Sequence, residues 1–229
     1  MARLSTVSII AMGLASLAFN AGAQPSSGTD LSLLPKYGEG PKGEALRETD
    51  ARFLAEMDAR YEGDRRKASQ AASTRGWQHF AQGEHDVAMR RFNQAWLLDS
   101  SNGVALWGMG AVLSYKTQHR GALKLFSEAN TTLSSNARFS VDYARAIGFA
   151  GTALHDEKLT ADALARFSAI HAESPENTIN LQNWAMTLYF DEKFDAAWQK
   201  IQLAQATPNA RLLSNEFVEK VRQKVAAPR

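Results

Sequence analysis

Histidine and acidic side chains are the groups of this sequence that could carry chemistry. None of the histidines forms a close pair with metal-ligand spacing; they lie at positions 79, 85, 119, 155 and 171. His155 is followed directly by Asp156 and Glu157. Consecutive helical residues point about 100° apart, so these three side chains cannot meet at one substrate atom. We therefore predict a solvated helix end there, with no catalytic residue, no metal and no cofactor.

Known catalytic motifs are also missing from the sequence. It contains no P-loop, no G-x-S-x-G turn and no H-E-x-x-H helix. Acidic pairs such as Glu48 with Asp50, or Asp191 with Glu192, fit charges at helix ends or in loops. Cysteine is absent, which excludes disulfides and thiolate zinc sites. We predict that the chain is not an enzyme. The least favoured alternative is an enzyme whose site lies between the repeats that begin at Ser69.

The N-terminus has the layout of a secretory signal peptide. Arg3 precedes an apolar run from Val7 to Phe19, and small residues at 21–23 stand before Gln24. A retained membrane anchor is the alternative, but a run of 13 residues is shorter than the roughly 20 that span a bilayer. We expect a cleaved signal peptide at 1–23, a cut after Ala23, and a periplasmic or secreted protein without stable membrane insertion.

The charge balance argues against strongly charged partners. The chain has 26 Lys and Arg residues against 24 Asp and Glu, a net charge of +2, and loss of Arg3 with the signal peptide leaves +1. Such near-neutrality predicts no strong attraction to nucleic acid or anionic lipid.

Two segments precede the regular part of the sequence. Residues 24–42 are rich in Gly, Pro and Ser, which predicts an extended linker or arm. Three leucines of this arm could dock on the domain: Leu31, Leu33 and Leu34. Residues 43–68 have apolar residues at helical spacing among charged neighbours, which predicts an N-terminal helix ended or bent by Gly63.

From Ser69 onward the sequence repeats itself at an offset of 34 residues. Residues 69–102 and 103–136 align without a gap. The aligned residues are Gly76 with Gly110, Gly83 with Thr117, Ala88 with Ala122, Phe92 with Phe126, Ala95 with Ala129, and Asn102 with Asn136. A third copy fits residues 144–177 after seven extra residues, which predict a lengthened first helix, and a weaker fourth copy fits 178–211.

This pattern resembles the tetratricopeptide repeat family. Gly at repeat position 8, Ala at 20, a large aromatic residue at 24 and Ala at 27 are the places that carry the resemblance. It implies an all-α, right-handed α-solenoid of about four helix-turn-helix repeats over 69–211. The 43–68 helix and a closing helix and tail at 212–229 would cap the array at its two ends.

The resemblance also implies a concave groove lined by the first helix of each repeat. The groove positions that we select as partner contacts are Trp77, Phe80, Trp107, Tyr115, Arg145, His155, Gln182, Met186 and Tyr189. Aromatic and Met side chains are common anchors in such grooves. The competing interpretation is that some of them pack against the N-terminal helix or the arm.

These observations predict a periplasmic scaffold or adaptor that holds a peptide or helix of another envelope protein. Lys and Asn residues that would clamp a free C-terminal carboxylate are missing from the expected positions, so an apolar or mixed helical ligand fits better. The alternative is a structural component of an envelope assembly that associates with copies of itself. The sequence alone leaves open whether the arm fills the groove.

Overall fold

The computed structural model describes residues 30–226, and this part of the chain is an all-α helical repeat fold, as predicted. Its ten α-helices are α1 Glu44–Arg60, α2 Arg65–Ala81, α3 His85–Leu98, α4 Gly103–Tyr115, α5 His119–Leu133, α6 Ala137–Leu154, α7 Glu157–Glu173, α8 Thr178–Phe190, α9 Phe194–Gln205 and α10 Asn215–Ala226. The predicted signal peptide and its cleavage position lie outside the described residues.

The helices form hairpins joined by short turns. Helix α2 packs with α3, α6 with α7, and α8 with α9. Three of the turns contain a residue with positive φ at the same repeat position: Gly83 (79°), Thr117 (57°) and Glu192 (58°). The described residues divide into two compact units, with the boundary between Met109 and Gly110.

In the first unit, Phe92 fills the space left by two glycines. The Phe92 side chain is fully buried. A Cβ atom built on Gly76 would lie 2.5 Å from Cε1 of Phe92, and one built on Gly108 would lie 2.2 Å from it. Real Cβ atoms do not approach this closely, so both glycines are required by the ring. This contact explains why glycine at position 8 accompanies an aromatic residue at position 24.

The second unit repeats this packing and adds a longer helix. Phe126 is 1% exposed, and a Cβ atom on Gly110 would lie 2.9 Å from its ring. Helix α6 has 18 residues and begins at Ala137, so it includes the seven extra residues that precede the third repeat. Its first turn is capped by Asn136, whose side chain accepts a hydrogen bond from the Phe139 amide.

The helix hairpin of the third repeat turns earlier than the sequence alignment implies. His155 adopts φ 53° and ends α6, three residues before the corresponding position of the other repeats. Asp156 accepts hydrogen bonds from the amides of Lys158 and Leu159, which starts α7 at Glu157. This N-cap stabilises the early helix start and gives α7 an additional turn.

The predicted N-terminal helix is divided into two helices by a turn. Helix α1 ends at Arg60, and Gly63, with φ 78°, donates a hydrogen bond to the Asp58 carbonyl. Asp64 then caps α2, which starts at Arg65 and therefore before the first repeat. The role expected of Gly63 is confirmed, because a left-handed residue after a helix favours glycine.

The arm differs from the expected extended segment. Its described part forms two 3-10 turns, Leu31–Leu33 and Pro35–Glu39, and these turns pack against α3, the second helix of the first repeat. Of the arm's apolar side chains, Tyr37 is buried, while Leu31, Leu33 and Leu34 are half-buried. The described part of the arm is thus docked on α3, and Tyr37 is its buried side chain.

The closing helix is α10, and two predicted groove residues hold it. The Ser214 amide, just before α10, donates a hydrogen bond of 2.7 Å to the Gln182 side chain. The Tyr189 ring packs edge-to-face on Phe217 of α10 at 5.7 Å. Between residues 30 and 226, no helix is both long and apolar enough to cross a membrane.

Candidate functional site

The candidate site is an exposed aromatic surface in the second unit, formed by helices α6 and α8. The two helices pack together because Gly148 of α6 leaves room for Thr187 of α8. A Cβ atom on Gly148 would lie 2.3 Å from the Thr187 hydroxyl oxygen. This close approach brings Phe149 and Phe190 into edge-to-face contact, with 6.0 Å between the ring centroids.

We define the aromatic surface by four residues: Phe149, Met186, Tyr189 and Phe190. Phe190 is 41% exposed, and the other three are partly exposed. Tyr189 contacts the Phe190 ring at 5.5 Å, and Met186 lies one helical turn before Phe190 on the same face. Adjacent partly exposed aromatic residues are the composition that protein interfaces favour.

Few large apolar side chains of the described chain are this exposed. They are Tyr115 (44%), Phe190 (41%) and Leu203 (44%). Leu203 belongs to α9, the second helix of the hairpin that begins with α8. Leu203 and Phe190 therefore present similar exposure from different helices of the same repeat, which makes Leu203 a suitable control.

The other groove residues predicted in this unit have different surroundings. Arg145 forms an ion pair with Asp142 at 3.2 Å. His155 lies in the turn after α6, exposed to solvent. Gln182 is used to hold α10, as described above. Of the sequence-selected residues here, Met186 and Tyr189 join the aromatic surface, and Tyr115 is exposed at the end of α4.

The groove residues predicted in the first unit pack against one another. Trp77 contacts Trp107 at 4.8 Å, Phe80 at 5.5 Å and Phe92 at 5.4 Å, all edge-to-face. Trp107 is only 6% exposed. Trp107 therefore packs on Trp77, another predicted groove residue, and a side chain this buried offers little area to a partner.

The acidic and histidine cluster forms a helix turn. Asp156 caps α7, His155 ends α6 in the left-handed conformation, and Glu157 is the first residue of α7. No group of three or more His, Asp or Glu side chains within residues 30–226 could hold a metal ion. Burial lowers the pKa of His119, which fits a histidine that packs on the protein.

Sequence reasoning did not select Phe149 or Phe190 as contacts, nor Asn93 as a binding residue. Phe149 stands at repeat position 6, where the first two repeats have Thr74 and Gly108, so the alignment gave it no special weight. Phe190 stands at a groove position of the fourth repeat. An Asn among apolar residues of α3 was a further signal, because Asn is a poor former of helix interiors.

Comparison with known proteins identifies similar solved structures. No family model matches the sequence, and no curated protein matches it. MamA residues 41–end from Desulfovibrio magneticus RS-1 has 16% identity and a TM-score of 0.49, covering 71% of this chain and 92% of that chain. The MamA RS-1 ArsTM double mutant has 18% identity and a TM-score of 0.48, covering 71% and 93%.

A third similar structure is YrrB, described as a tetratricopeptide repeat protein with an unusual peptide-binding site. It has 18% identity and a TM-score of 0.27, covering 67% of this chain and 90% of that chain. The chain's own structure shows an all-α helical-repeat fold of the tetratricopeptide type, as its sequence predicted. The helix hairpins and the glycine–aromatic packing of the structure itself carry that conclusion.

Proposed function

We propose that this chain is a non-enzymatic scaffold that binds a helix or peptide of another cell-envelope protein on its aromatic surface. The observation that carries the proposal is the 41% exposure of Phe190 beside the partly exposed Phe149 ring. Leaving such rings in water is unfavourable, and covering them stabilises a complex. Aromatic side chains also lose little conformational freedom on binding.

The chemistry around the surface favours an apolar ligand face. Arg145 is already paired with Asp142, so it offers a partner carboxylate little additional attraction. The whole chain is close to neutral, which gives no long-range attraction to a strongly charged partner. An amphipathic helix whose apolar side chains pack on Phe149 and Phe190 fits these properties.

Location in the envelope rests on the N-terminal sequence. We expect signal peptidase to cut after Ala23, so that the protein isolated from cells begins at Gln24. Replacing Ala21 and Ala23 with leucine should block the cut, because the peptidase requires small residues there. N-terminal mass analysis of the wild type and the variant checks this, and an intact Met1 terminus in the wild-type protein would contradict export by a cleaved signal.

The binding proposal predicts a specific loss of capture for a variant of the aromatic surface. The mature chain is immobilised and incubated with envelope extract, beside a Phe190→Ser variant. Removing a central aromatic anchor costs about 1–3 kcal/mol of binding free energy, so we expect the partner to be bound about 5- to 150-fold more weakly. Quantitative mass spectrometry of the eluted proteins measures the difference.

Leu203→Ser is the matched control, since Leu203 is 44% exposed on α9 of the same repeat. We expect this variant to capture the partner as the wild type does. Equal capture by wild type and Phe190→Ser would refute the assignment of the surface. If the protein captured by the wild type is this chain itself, the surface mediates self-association instead of binding another protein.

A further inference from the structure

A fully buried asparagine on α3 holds the main chain of the arm. The Asn93 side-chain amide group donates hydrogen bonds to the carbonyl oxygens of Ser32 at 2.8 Å and Leu34 at 2.9 Å. Its carbonyl oxygen accepts a hydrogen bond from the Lys36 amide at 2.8 Å. Asn93 is 0% exposed, so these bonds satisfy a polar group that would otherwise be costly to bury.

The burial of Asn93 is specific to the first repeat. The residues at the same repeat position in the other three copies are all exposed: Ser127, Ser168 and Gln202. The outer face of the second helix is therefore a solvated face elsewhere in the chain. On α3 this face is covered by the arm, and Asn93 is the polar group at its centre.

The remaining contacts of the arm surround Asn93. Arg90 of α3 donates hydrogen bonds of 3.1 Å to the Asp30 carboxylate and to the Ser32 hydroxyl. Bonds from Ser32 and Arg90 lower the pKa of Asp30. Both members of the Arg90–Asp30 pair are about half exposed, so the pair adds little binding energy.

Tyr37 supplies the apolar anchor of the arm. It is 5% exposed, and the Lys42 ammonium lies over its ring at 3.7 Å. Burial, followed by the nearby charge of Asp50, raises the pKa of the Tyr37 phenol. The arm thus has one buried ring and one stretch of main chain that is hydrogen-bonded to Asn93.

The bound arm has an unfavourable backbone conformation. Four consecutive residues have positive φ: Lys36 (52°), Tyr37 (58°), Gly38 (80°) and Glu39 (57°). Three of them carry a Cβ atom, for which this left-handed region is unfavourable. A segment that holds such a conformation against its own preference depends on the contacts that it makes with α3.

We propose that the outer face of α3 is a peptide-binding site, built around Asn93, whose occupant in this chain is its own segment 30–40. The ligand class is a short peptide that contacts Asn93 with three main-chain groups. Two are carbonyl groups and the third is an amide, and each lies two residues after the previous one. This site lies on a second helix of a repeat and is separate from the aromatic surface. The arm is held there reversibly, because its backbone strain opposes the bonds to Asn93.

The test vacates the site in the intact mature chain. Lys36→Pro removes the main-chain amide that donates a hydrogen bond to Asn93. Proline also cannot adopt the positive φ that residue 36 has in the docked arm. We expect this change to release the arm and to shift the Asn93 side-chain amide resonance in a ¹⁵N spectrum. A synthetic peptide of residues 30–42, added at millimolar concentration, should move that resonance back toward its wild-type position.

Lys36→Gly is the matched control, since glycine keeps the amide and tolerates positive φ. It should leave the Asn93 resonance at its wild-type position. Unchanged backbone resonances of α2 and of residues 103–226 show that both compact units of the Lys36→Pro chain are folded. The proposal is overturned if Lys36→Pro leaves the Asn93 resonance unshifted, or if the peptide does not move it.

A second measurement addresses Asn93 directly and needs no peptide. In the wild-type chain the Lys36 amide should exchange slowly with solvent, and Asn93→Leu should accelerate this exchange at least tenfold. Ser127→Leu, at the same repeat position of the next repeat, should leave it unchanged. Equal exchange of the Lys36 amide in wild type and Asn93→Leu would show that Asn93 does not hold the arm.

Discussion

Replacing Phe92 with alanine is expected to lower the free energy of unfolding by about 3–5 kcal/mol. The ring is 0% exposed and lies against the backbones of Gly76 and Gly108, so its removal leaves a cavity that rigid helices cannot close. A typical domain has about 5–15 kcal/mol of stability, so the loss is a large fraction of the total. Urea denaturation followed by circular dichroism measures it.

A double-mutant cycle tests the stated cause of this effect. Gly108→Ala should destabilise the wild type, because its Cβ would lie 2.2 Å from Cε1 of Phe92. In the Phe92→Ala background the same change should be neutral or stabilising, since alanine is about 1 kcal/mol better than glycine in a helix. Additive effects of the two substitutions would contradict the conclusion that contact between the Phe92 ring and Gly108 causes the loss of stability.

Replacing Gly151 with alanine is expected to destabilise the second unit by about 2 kcal/mol. Its Cβ would lie 2.6 Å from the main-chain nitrogen of Thr160, the residue of α7 that faces α6. A backbone atom cannot rotate away as a side chain can, so the two helices must separate. This cost outweighs the gain of about 1 kcal/mol in helix propensity.

Gly121→Ala is the matched control for this prediction. Gly121 is also helical, but the atom nearest to its added Cβ is Cδ1 of Leu113, at 2.9 Å, the end of a flexible side chain. Leu113 can yield by a small rotation, so we expect stability within about 1 kcal/mol of the wild type. The same denaturation experiment serves both variants, and equal losses would refute the distinction between backbone and side-chain obstacles.

The repeat architecture was predictable because the same packing problem recurs every 34 residues. Glycine at 76 and 110, with phenylalanine at 92 and 126, gave the register in which helix meets helix. The seven extra residues before the third copy predicted the longer α6, since seven residues are two helical turns. These features depend on local spacing, which the sequence displays directly.

The turn of the third repeat was less predictable because competing local signals determine it. The alignment placed His155 within the first helix, whereas Asp156 caps α7 and ends α6 earlier. Capping of α7 by Asp156 competes with continuation of α6, and a few hydrogen bonds decide which of the two forms. His155 consequently lies in a turn and not on the groove-facing side of α6.

The candidate site was only partly predictable because exposure depends on which elements pack together. Spacing placed Trp107 and Tyr189 equally at groove positions, yet Trp107 is buried against Trp77 and Tyr189 contacts the closing helix. Phe149 belongs to the aromatic surface because it contacts Phe190. This contact requires Gly148, which lets α6 approach α8. These contacts join residues about 30 to 40 positions apart and leave no pattern in the sequence.

The role of Asn93 was hidden for a similar reason. Its partners lie 57–61 residues earlier in the chain, and all three are main-chain groups that carry no sequence pattern. The arm's composition predicted an extended segment, whereas its described part forms two 3-10 turns, and composition cannot show which surface a segment covers. The structure places it on α3, the second helix of the first repeat.

The most direct test of the scaffold account is site-specific photo-crosslinking in living cells. A photoreactive phenylalanine is introduced at position 190, and in a separate strain at position 203, whose side chains are 41% and 44% exposed. Binding at the aromatic surface predicts a discrete protein adduct from position 190 and at least tenfold less from position 203. Equal adducts from both positions, or an adduct from position 203 alone, would contradict the account.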